Sequence, residues 1–482
     1  MYRWFKFTNT VLFLVMLMTE GCTRVGKRNV IIMIADGGGY NQILATDYWN
    51  GSKAGYEDWE TAYAMSTFKY GENYDGTEAW SDFDYVKLHF TESAAAATAM
   101  SAGVKTNERH IGLDHEYKPV EHILECAESI GLATGVVTSV EISHATPAGF
   151  VAHNIDRDNY AEIAQEMIEE SAVDVIMGAG NPIFDNNGEM KTDGFEYKYV
   201  GGEELWNALV AGTAGNDADG DGIADHWTLI QTKDEFQNFA AGDTPDRVIG
   251  IAQVLKTLQQ ERSGKPVVNS PEPPYTVPLN KNVPTLEDMV RAALNVLDND
   301  PDGFLLMIEG GAVDWANHKA NLGRMIEEMD DFNCAFDVVV EWVETHGGWN
   351  ETLVIVTSDH ETGYLWGPGS HAPDTWNPIV DNGPGNMPGF FYYKTSDTEH
   401  TNSLVPFYAK GRNSERFSMQ VVAADSVRGK YIDNTAIARV VFDLLGGWKP
   451  VFRSSQDQPP QPVETGNGTA VKQPPVEIQA AD

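Results

Sequence analysis

The distribution of apolar residues along the chain predicts a parallel β-sheet. Short continuous apolar runs recur and end in glycine, acidic or polar residues, which is typical of strands buried on both faces. Stretches with helical or loop character separate these runs, as expected of an α/β protein. The predicted strands cover residues 29–35, 134–140, 174–180, 304–308, 353–357 and 403–410.

Side chains of metal-ligand type follow the ends of these strands, where ligands gather in open α/β sheets. Asp36 follows the first predicted strand, and Glu309, two glycines, Asp314 and His318 follow the fourth. Asp314 and His318 lie four residues apart, so on a helical turn both side chains reach one divalent ion. Taken alone, each motif also fits an ordinary turn or surface helix.

Two further strand ends carry imidazoles. Asp359 and His360 follow the fifth predicted strand, and neighbours in an extended chain point to opposite sides, so we expect this pair to bridge two metal ions. His144 and Thr146 follow the second strand, where they fit either a hard cation or loop hydrogen bonds. His400 precedes the last predicted strand and adds one more imidazole.

A serine and an arginine lie among these groups. Thr91, Glu92 or Ser93 marks the start of an alanine-rich predicted helix at 94–102, and Ser93 there is either a cap for free backbone amides or a nucleophile. The free amides and the helix dipole would also favour a phosphate on Ser93. Arg157 lies near the same edge, and its guanidinium matches a phosphate bidentately, although a lone arginine in an acidic protein is often a salt-bridge partner.

Composition narrows the class of partner. The chain has 482 residues, of which 42% are hydrophobic, and a formal net charge of -38. This acidity, without any cluster of basic residues, argues against a nucleic-acid partner, because nothing offsets the repulsion of phosphates. An anionic substrate therefore needs a local cationic site, and bound metal ions are the expected source.

The N-terminal residues 1–22 predict a signal segment. The apolar run at 11–18 follows basic residues and is too short to span a bilayer, so we expect an exported protein of the periplasm or a membrane-anchored lipoprotein. The residues before Cys22 match a lipoprotein cleavage box only in part, so lipid anchoring there and simple export both stay open. For Cys126 and Cys334, two buried free thiols are favoured over a disulfide.

Regular patterning breaks at about residues 183–285, which predict a polar insertion on the rim rather than a second core. Its acidic stretch has the spacing of a calcium loop, but Thr228 stands at the twelfth position instead of a bidentate glutamate. A structural Ca²⁺ loop of another type and a solvated acidic turn stay open. The candidate calcium ligands are Asp217, Asp219, Asp221 and Asp225.

Residues 449–482 predict a disordered tail.

Taken together, the strand-end groups suit phosphoryl transfer. Carboxylates and imidazoles of this number make two or three divalent sites, of which imidazole-rich ones suit zinc and an oxygen-rich one suits magnesium. One ion would lower the pKa of the Ser93 hydroxyl, a second would neutralise the leaving oxygen, and Arg157 would hold the non-bridging oxygens. The groups are Asp36, Ser93, His144, Thr146, Arg157, Glu309, Asp314, His318, Asp359, His360 and His400.

Over roughly residues 29–448 the chain resembles the alkaline phosphatase family. Six motifs occur in that family's order, and their joint occurrence is highly specific. They are IADGGG at Asp36, TESAAAATA at Ser93, SHATPAGFVAH with the following Arg157, MIEGGAVDWANH, TSDHETG, and EHT at His400. The resemblance implies an α/β three-layer sandwich, with a mostly parallel central sheet flanked by helices. It also implies a broad phosphomonoesterase, often a homodimer, that forms a phosphoserine at Ser93.

The resemblance further implies two Zn²⁺ and one Mg²⁺. It assigns one zinc to Asp314, His318 and His400, the other to Asp36, Asp359 and His360, and the magnesium to Asp36, Thr146 and Glu309 with His144 nearby. Two departures matter. Glu92 stands where the family usually has Asp beside its nucleophile, so we expect a looser hold on Arg157. Trp315 stands where many members carry Lys or His, and together with His144 instead of Asp it predicts altered affinity for the third metal.

Two rival functions share parts of this pattern. Related metal hydrolases use the same kind of sheet for sulfate esters or phosphodiesters, although the chain has no C-x-P-S-R segment for a modified sulfatase nucleophile. A surface lipoprotein that binds metal or calcium without turnover is the second rival. The expected partners remain small phosphomonoesters.

Overall fold

The computed structural model describes residues 27–264, 272–371, 373–393 and 399–446. The predicted signal segment, Cys22 and the predicted tail lie outside the described residues. The strands are β1 (Asn29–Ala35), β2 (Thr61–Ser66), β3 (Ala133–Glu141), β4 (Val175–Ala179), β5 (Gly215–Asn216), β6 (Asp225–His226), β7 (Thr228–Ile230), β8 (Val248–Ile251), β9 (Phe304–Gly310), β10 (Thr352–Thr357), β11 (Glu361–Thr362), β12 (Leu365–Trp366), β13 (Phe391–Tyr392), β14 (His400–Thr401), β15 (Val405–Gly411), β16 (Val421–Asp425) and β17 (Gly429–Asp433).

Eleven of these strands form one sheet in the order β16-β17-β2-β15-β10-β1-β9-β3-β4-β8-β7. The central strands β10, β1, β9, β3, β4 and β8 are all parallel. Antiparallel pairs occur where β15 joins β10 and β2, and between β16 and β17. The sheet is therefore mostly parallel, as the apolar runs predict.

Helices cover both faces of the sheet. Along β1, Val30, Ile32 and Ile34 pack into one core, and the residues between them pack into another on the opposite face. This alternation is why the strand is apolar throughout and the architecture has three layers. The helices are α1 (Tyr40–Asn50), α2 (Gly76–Ala79), α3 (Ser93–Ala102), α4 (Ile123–Ser129), α5 (Ala145–Val151), α6 (Tyr160–Glu169), α7 (Glu203–Ala211), α8 (Lys233–Phe239), α9 (Leu286–Leu297), α10 (Ala312–His318), α11 (Leu322–Thr345) and α12 (Thr435–Leu445).

The segment 183–285 has more regular structure than its sequence predicts. It contributes α7, α8 and four strands, and two of these strands, β7 and β8, extend the main sheet next to β4. The strands are only three and four residues long, so their apolar runs are too short to stand out from the surrounding polar sequence. The segment thus includes the edge of the sheet in addition to rim loops.

The two cysteines among the described residues are free thiols, as favoured above, but only one is buried. Cys126 is buried on α4 and Cys334 is exposed on α11. No helix in the described part of the chain is long and apolar enough to cross a membrane.

A buried ion pair joins the segment that follows α3 to the end of β17. Lys105 Nζ lies 2.9 Å from Asp433 Oδ2 and 2.6 Å from Asn434 Oδ1, and all three residues are buried. Breaking a buried pair by removing one partner leaves an uncompensated charge. We expect Lys105→Met to lower the free energy of unfolding by about 3–5 kcal/mol in urea titrations.

The double variant Lys105→Met/Asp433→Asn is the control for this prediction. It removes the stranded charge, so it should recover part of the lost stability. A double variant less stable than Lys105→Met alone would contradict this account of the pair.

Candidate active site

The carboxyl ends of the central strands meet the start of α3 at one edge of the sheet. Asp36 directly follows β1, Glu309 lies near the end of β9, and Asp359 follows β10 by two residues. Because these strands are adjacent and parallel, their acidic side chains converge. A cavity of about 550 Å³ opens there, lined by Ser93, His144, Arg157, Lys256, Glu261, Asp314, Trp315, His318, Lys319 and His400.

Ser93 is the first residue of α3, and its hydroxyl faces the acidic side chains. Ser93 Oγ lies 3.3 Å from Asp36 Oδ2 and 3.3 Å from His360 Nε2. The helix cap is Glu92, whose carboxylate accepts hydrogen bonds from the amides of Ala94 and Ala95. The alternative of Ser93 as the cap is therefore wrong. So is the expectation that these amides are free for a phosphate, because Glu92 occupies both.

Arg157 is held firmly beside Ser93. Its Nη1 donates to Glu92 Oε2 at 2.5 Å, and its Nη2 lies 3.2 Å from His144 Nε2. The Glu92 side chain reaches the guanidinium while it caps α3, and the looser hold expected relative to Asp stays a prediction. Glu92 thus links Arg157 to α3, the helix on which Ser93 lies.

The first cluster of metal-ligand side chains contains Asp314, His318 and His400. On α10, His318 Nε2 lies 3.2 Å from Asp314 Oδ2, as the four-residue spacing predicts. His400 Nε2 lies 3.1 Å from His318 Nε2 and 3.6 Å from Asp314 Oδ1. Ligands that bind one Zn²⁺ at about 2.1 Å in a tetrahedron lie about 3.4 Å apart. The ligand atoms that all lie within 4.8 Å of one another here belong to Asp314, His360 and His400. His318 lies next to two of them, and its place as a ligand of this zinc stays a prediction.

The second cluster contains Asp36, Asp359 and His360, whose ligand atoms lie within 4.8 Å of one another. His360 Nε2 is 3.1 Å from Asp359 Oδ2 and 3.6 Å from Asp36 Oδ1. The expectation that Asp359 and His360 point to opposite sides is wrong, because β10 ends at Thr357 and the chain turns. Asp359 Oδ1 fixes this turn by accepting from the amides of His360 and Gly37.

The third cluster is rich in oxygen. Ligand atoms of Asp36, His144 and Glu309 lie within 4.8 Å of one another, and all three residues are buried. The fully buried hydroxyl of Thr146, on α5, lies beside the Glu309 carboxylate. Thr138, within β3 and opposite Glu309 on β9, donates its hydroxyl to Glu309 Oε2. This donor orients the carboxylate toward the cluster.

The buried carboxylates destabilise one another's charge. Burial raises the pKa of Asp36 well above its ordinary value, and the negative charges of Asp359 and Asp314 raise it further. Burial also raises the pKa of Glu309 to about 7 and that of Asp359 to about 8. Burial would raise the pKa of Asp314 too, but the His318 imidazole beside it holds that pKa well below its ordinary value.

The donor set fits divalent cations. Asp36 Oδ1 and Glu309 Oε1 are buried without a hydrogen-bond partner, although buried polar atoms normally have one. Cations would satisfy these atoms and compensate the carboxylates. Gly37 permits the close approach: it has a φ of +70°, and a Cβ there would lie 2.7 Å from the Asp314 Cα.

The candidate calcium loop lies apart from this cavity. Ligand atoms of Asp217, Asp219 and Asp225 lie within 4.8 Å of one another, whereas Asp221 is not part of that group. The calcium site stays a prediction.

Sequence reasoning missed the groups that orient the ligands. The Thr362 hydroxyl donates to Asp314 Oδ1 at 2.6 Å, and the Thr138 hydroxyl donates to Glu309 Oε2. Thr362 lies two residues after His360 in the TSDHETG motif, so its hydroxyl is a usable signal. Lys256 and Glu261 reach the cavity from the segment 183–285, and no local pattern marks them.

The fold and the clusters define a class: a metal-dependent hydrolase with a mostly parallel sheet between helices and a buried serine beside its metal-ligand clusters. The chain belongs to the alkaline phosphatase family, because the family model described as alkaline phosphatase matches residues 27–378. It is accordingly a metal-dependent phosphomonoester hydrolase.

Individual relatives agree with this membership. The alkaline phosphatase of Escherichia coli K12 is 30% identical over 404 residues, covering 80% of this chain and 81% of that protein. Alkaline phosphatase 3 of Bacillus subtilis is 29% identical over 486 residues, covering 87% and 89%. The fold is similar to the structure of alkaline phosphatase from the Antarctic bacterium TAB5, with 23% identity, a TM-score of 0.58 and coverage of 87% and 99%.

Proposed function

We propose that this chain hydrolyses phosphate monoesters through a phosphoserine at Ser93. The observation that carries the proposal is the Ser93 hydroxyl, 3.3 Å from both Asp36 Oδ2 and His360 Nε2, in a cavity that Arg157 also lines. A hydroxyl with these partners can lose its proton and attack phosphorus, while the guanidinium holds the non-bridging oxygens.

The reaction then has two displacements at phosphorus. In the first, Ser93 Oγ bonds to phosphorus as the bond to the ester oxygen breaks, and the alcohol leaves after taking up a proton. In the second, a water oxygen bonds to phosphorus, inorganic phosphate leaves, and Ser93 recovers its proton. Arg157 donates to the phosphoryl oxygens in both, because that is where the charge lies.

We assign a metal ion to each cluster. The cluster with two imidazoles suits Zn²⁺, as does the cluster of two carboxylates and one imidazole, and the cluster rich in oxygen suits Mg²⁺. The ligands are Asp314, His318 and His400 for one zinc, Asp36, Asp359 and His360 for the other, and Asp36, Thr146 and Glu309 for the magnesium, with His144 nearby. When bound, such ions lower the pKa of a hydroxyl group and stabilise a leaving oxygen.

The third site is proposed to bind magnesium with altered affinity. Mg²⁺ prefers oxygen ligands, and His144 supplies a nitrogen without negative charge. The Trp315 ring lies 5.9 Å from that of His144 and forms part of the cavity wall. A variant of the TAB5 enzyme in which a histidine is replaced by aspartate has Mg bound in its M3 site, which supports magnesium for a cluster of this kind when it carries the extra carboxylate that His144 does not supply.

Substrate comparison tests the proposed reaction against its enzymatic rivals. With zinc and magnesium present, kcat/KM for phenyl phosphate should exceed the values for a phosphodiester and for phenyl sulfate by about 100-fold or more. The physical reason is that Arg157 and the cation clusters are matched to a dianionic phosphoryl group. Equal or faster turnover of the diester or the sulfate would contradict the proposal.

Export, lipid attachment at Cys22 and a homodimer are further proposals. They follow from the sequence of residues 1–22 and from the resemblance, and they are independent of the chemistry in the cavity.

A further inference from the structure

Arg109 binds the residues on both sides of Arg157. Its Nη2 donates to Asp156 Oδ1 at 2.6 Å and to Asp158 Oδ2 at 2.5 Å, and its Nε donates to Asp156 Oδ2 at 3.2 Å. One guanidinium therefore clamps a three-residue stretch of chain with Arg157 at its centre.

The backbone of Arg109 also forms hydrogen bonds with Glu92 and Arg157. Its amide donates to Glu92 Oε1 at 2.8 Å, and its carbonyl accepts from the Arg157 amide at 2.9 Å. Glu92 in turn accepts from the Arg157 guanidinium at 2.5 Å. Arg109 thus contacts Arg157 through its main chain, through the acid that pairs with it, and through the flanking aspartates.

Arg109 has an unfavourable backbone conformation for these contacts. Its φ is +72°, in the left-handed region that few residues other than glycine adopt. Such strain, of order 1–3 kcal/mol, persists where surrounding contacts fix it and is concentrated at functional sites. Glycine adopts this conformation without strain, so it would be the more stable choice if the Arg109 side chain had no role here.

We propose that Arg109 is a positioning residue for Arg157, one that sets the direction in which the guanidinium meets the phosphoryl group. The inference rests on the proposed function, in which Arg157 holds the non-bridging oxygens. Bidentate recognition depends on the orientation of the guanidinium, so a small rotation of the 156–158 stretch weakens it. Arg109 does not line the cavity and is not a catalytic residue.

Arg109→Gln tests the proposal, with Arg291→Gln as the matched control. Arg291 is likewise an exposed arginine that binds two acids, Glu287 and Glu341, but it does so on α9, away from the cavity. We expect Arg109→Gln to raise the inhibition constant of inorganic phosphate roughly tenfold, and the KM for phenyl phosphate alike. Arg109→Lys should restore part of the affinity, because one ammonium can bind one aspartate but cannot clamp two.

Stability separates positioning from a merely structural role. Exposed ion pairs contribute about 0–1 kcal/mol, so both glutamine variants should have similar urea midpoints, close to that of the wild type. Equal inhibition constants in Arg109→Gln and Arg291→Gln would overturn the proposal. A loss of phosphate affinity that only follows a loss of stability would also overturn it.

A double-mutant cycle with Arg157→Ala completes the test. In the Arg157→Ala background, Arg109→Gln should change the inhibition constant of phosphate less than about twofold, because the group that it orients is gone. A full effect in that background would overturn the inference. If Arg157→Ala alone leaves phosphate affinity unchanged, the proposed role of Arg157 fails. If it weakens affinity and Arg109→Gln does not, only the positioning role fails.

Discussion

Ser93→Ala is expected to lower kcat for phenyl phosphate by roughly four orders of magnitude. The substitution removes only the hydroxyl that faces Asp36 and His360 and leaves the Glu92 cap of α3 in place. Alanine also suits the helix, since most of α3 is already alanine. The variant should therefore keep its fold and its metal content. It should form no acid-stable phosphoprotein when the enzyme is quenched during turnover.

Ser101→Ala is the matched control for this experiment. Ser101 lies on the same helix and is buried, but its hydroxyl donates to the carbonyl of Gly149, away from the cavity. Its loss should cost stability and leave the phosphoprotein intact. Acid-stable label on Ser93→Ala would refute the assignment of the nucleophile. A wild-type protein without turnover in zinc and magnesium would favour the rival of a surface protein that binds metal.

Local sequence patterns sufficed for the strands that carry the site. The run predicted at 29–35 is β1, and the run at 304–308 forms most of β9, because a strand covered on both faces is apolar at every position. The parallel direction of these strands determines where their ends lie, and it places Asp36, Glu309 and Asp359 at one edge of the sheet. The convergence of distant acids was thus predictable from topology alone.

Side-chain directions beyond the strand ends were not predictable. The opposed directions expected for Asp359 and His360 assumed an extended chain, whereas hydrogen bonds from Gly37 and His360 to Asp359 turn it. The cap of α3 illustrates the same limit. Both Glu92 and Ser93 can accept from backbone amides. Contacts of Glu92 with the Arg157 guanidinium, 65 residues further on, and with the Arg109 amide favour Glu92 for that role. Such outcomes depend on long-range contacts that a local pattern does not contain.

Removal of bound metal is expected to abolish turnover and to destabilise the fold. Chelation should bring the hydrolysis of phenyl phosphate down by at least about three orders of magnitude. It should also lower the free energy of unfolding by about 4 kcal/mol if the ions were bound at 1,000 times their dissociation constants. The physical reason is that four carboxylates are buried together, those of Asp36, Glu309, Asp314 and Asp359. The permanently positive side chains in the cavity wall are three, those of Arg157, Lys256 and Lys319.

Substitutions distinguish the separate sites in this experiment. Glu309→Gln should lose magnesium and keep the zinc bound by Asp314, His318 and His400, as measured by elemental analysis of the dialysed protein. Asp314→Asn should show the reverse and lose zinc first, because its carboxylate neighbours the two imidazoles at 3.2 and 3.6 Å. Zinc with magnesium should restore the wild type after chelation, and calcium alone should not, since Ca²⁺ prefers six or more oxygen ligands. Activity that survives exhaustive chelation would contradict the use of these clusters in catalysis, because the four buried carboxylates and an incoming dianion carry more negative charge than Arg157, Lys256 and Lys319 in the cavity wall can balance.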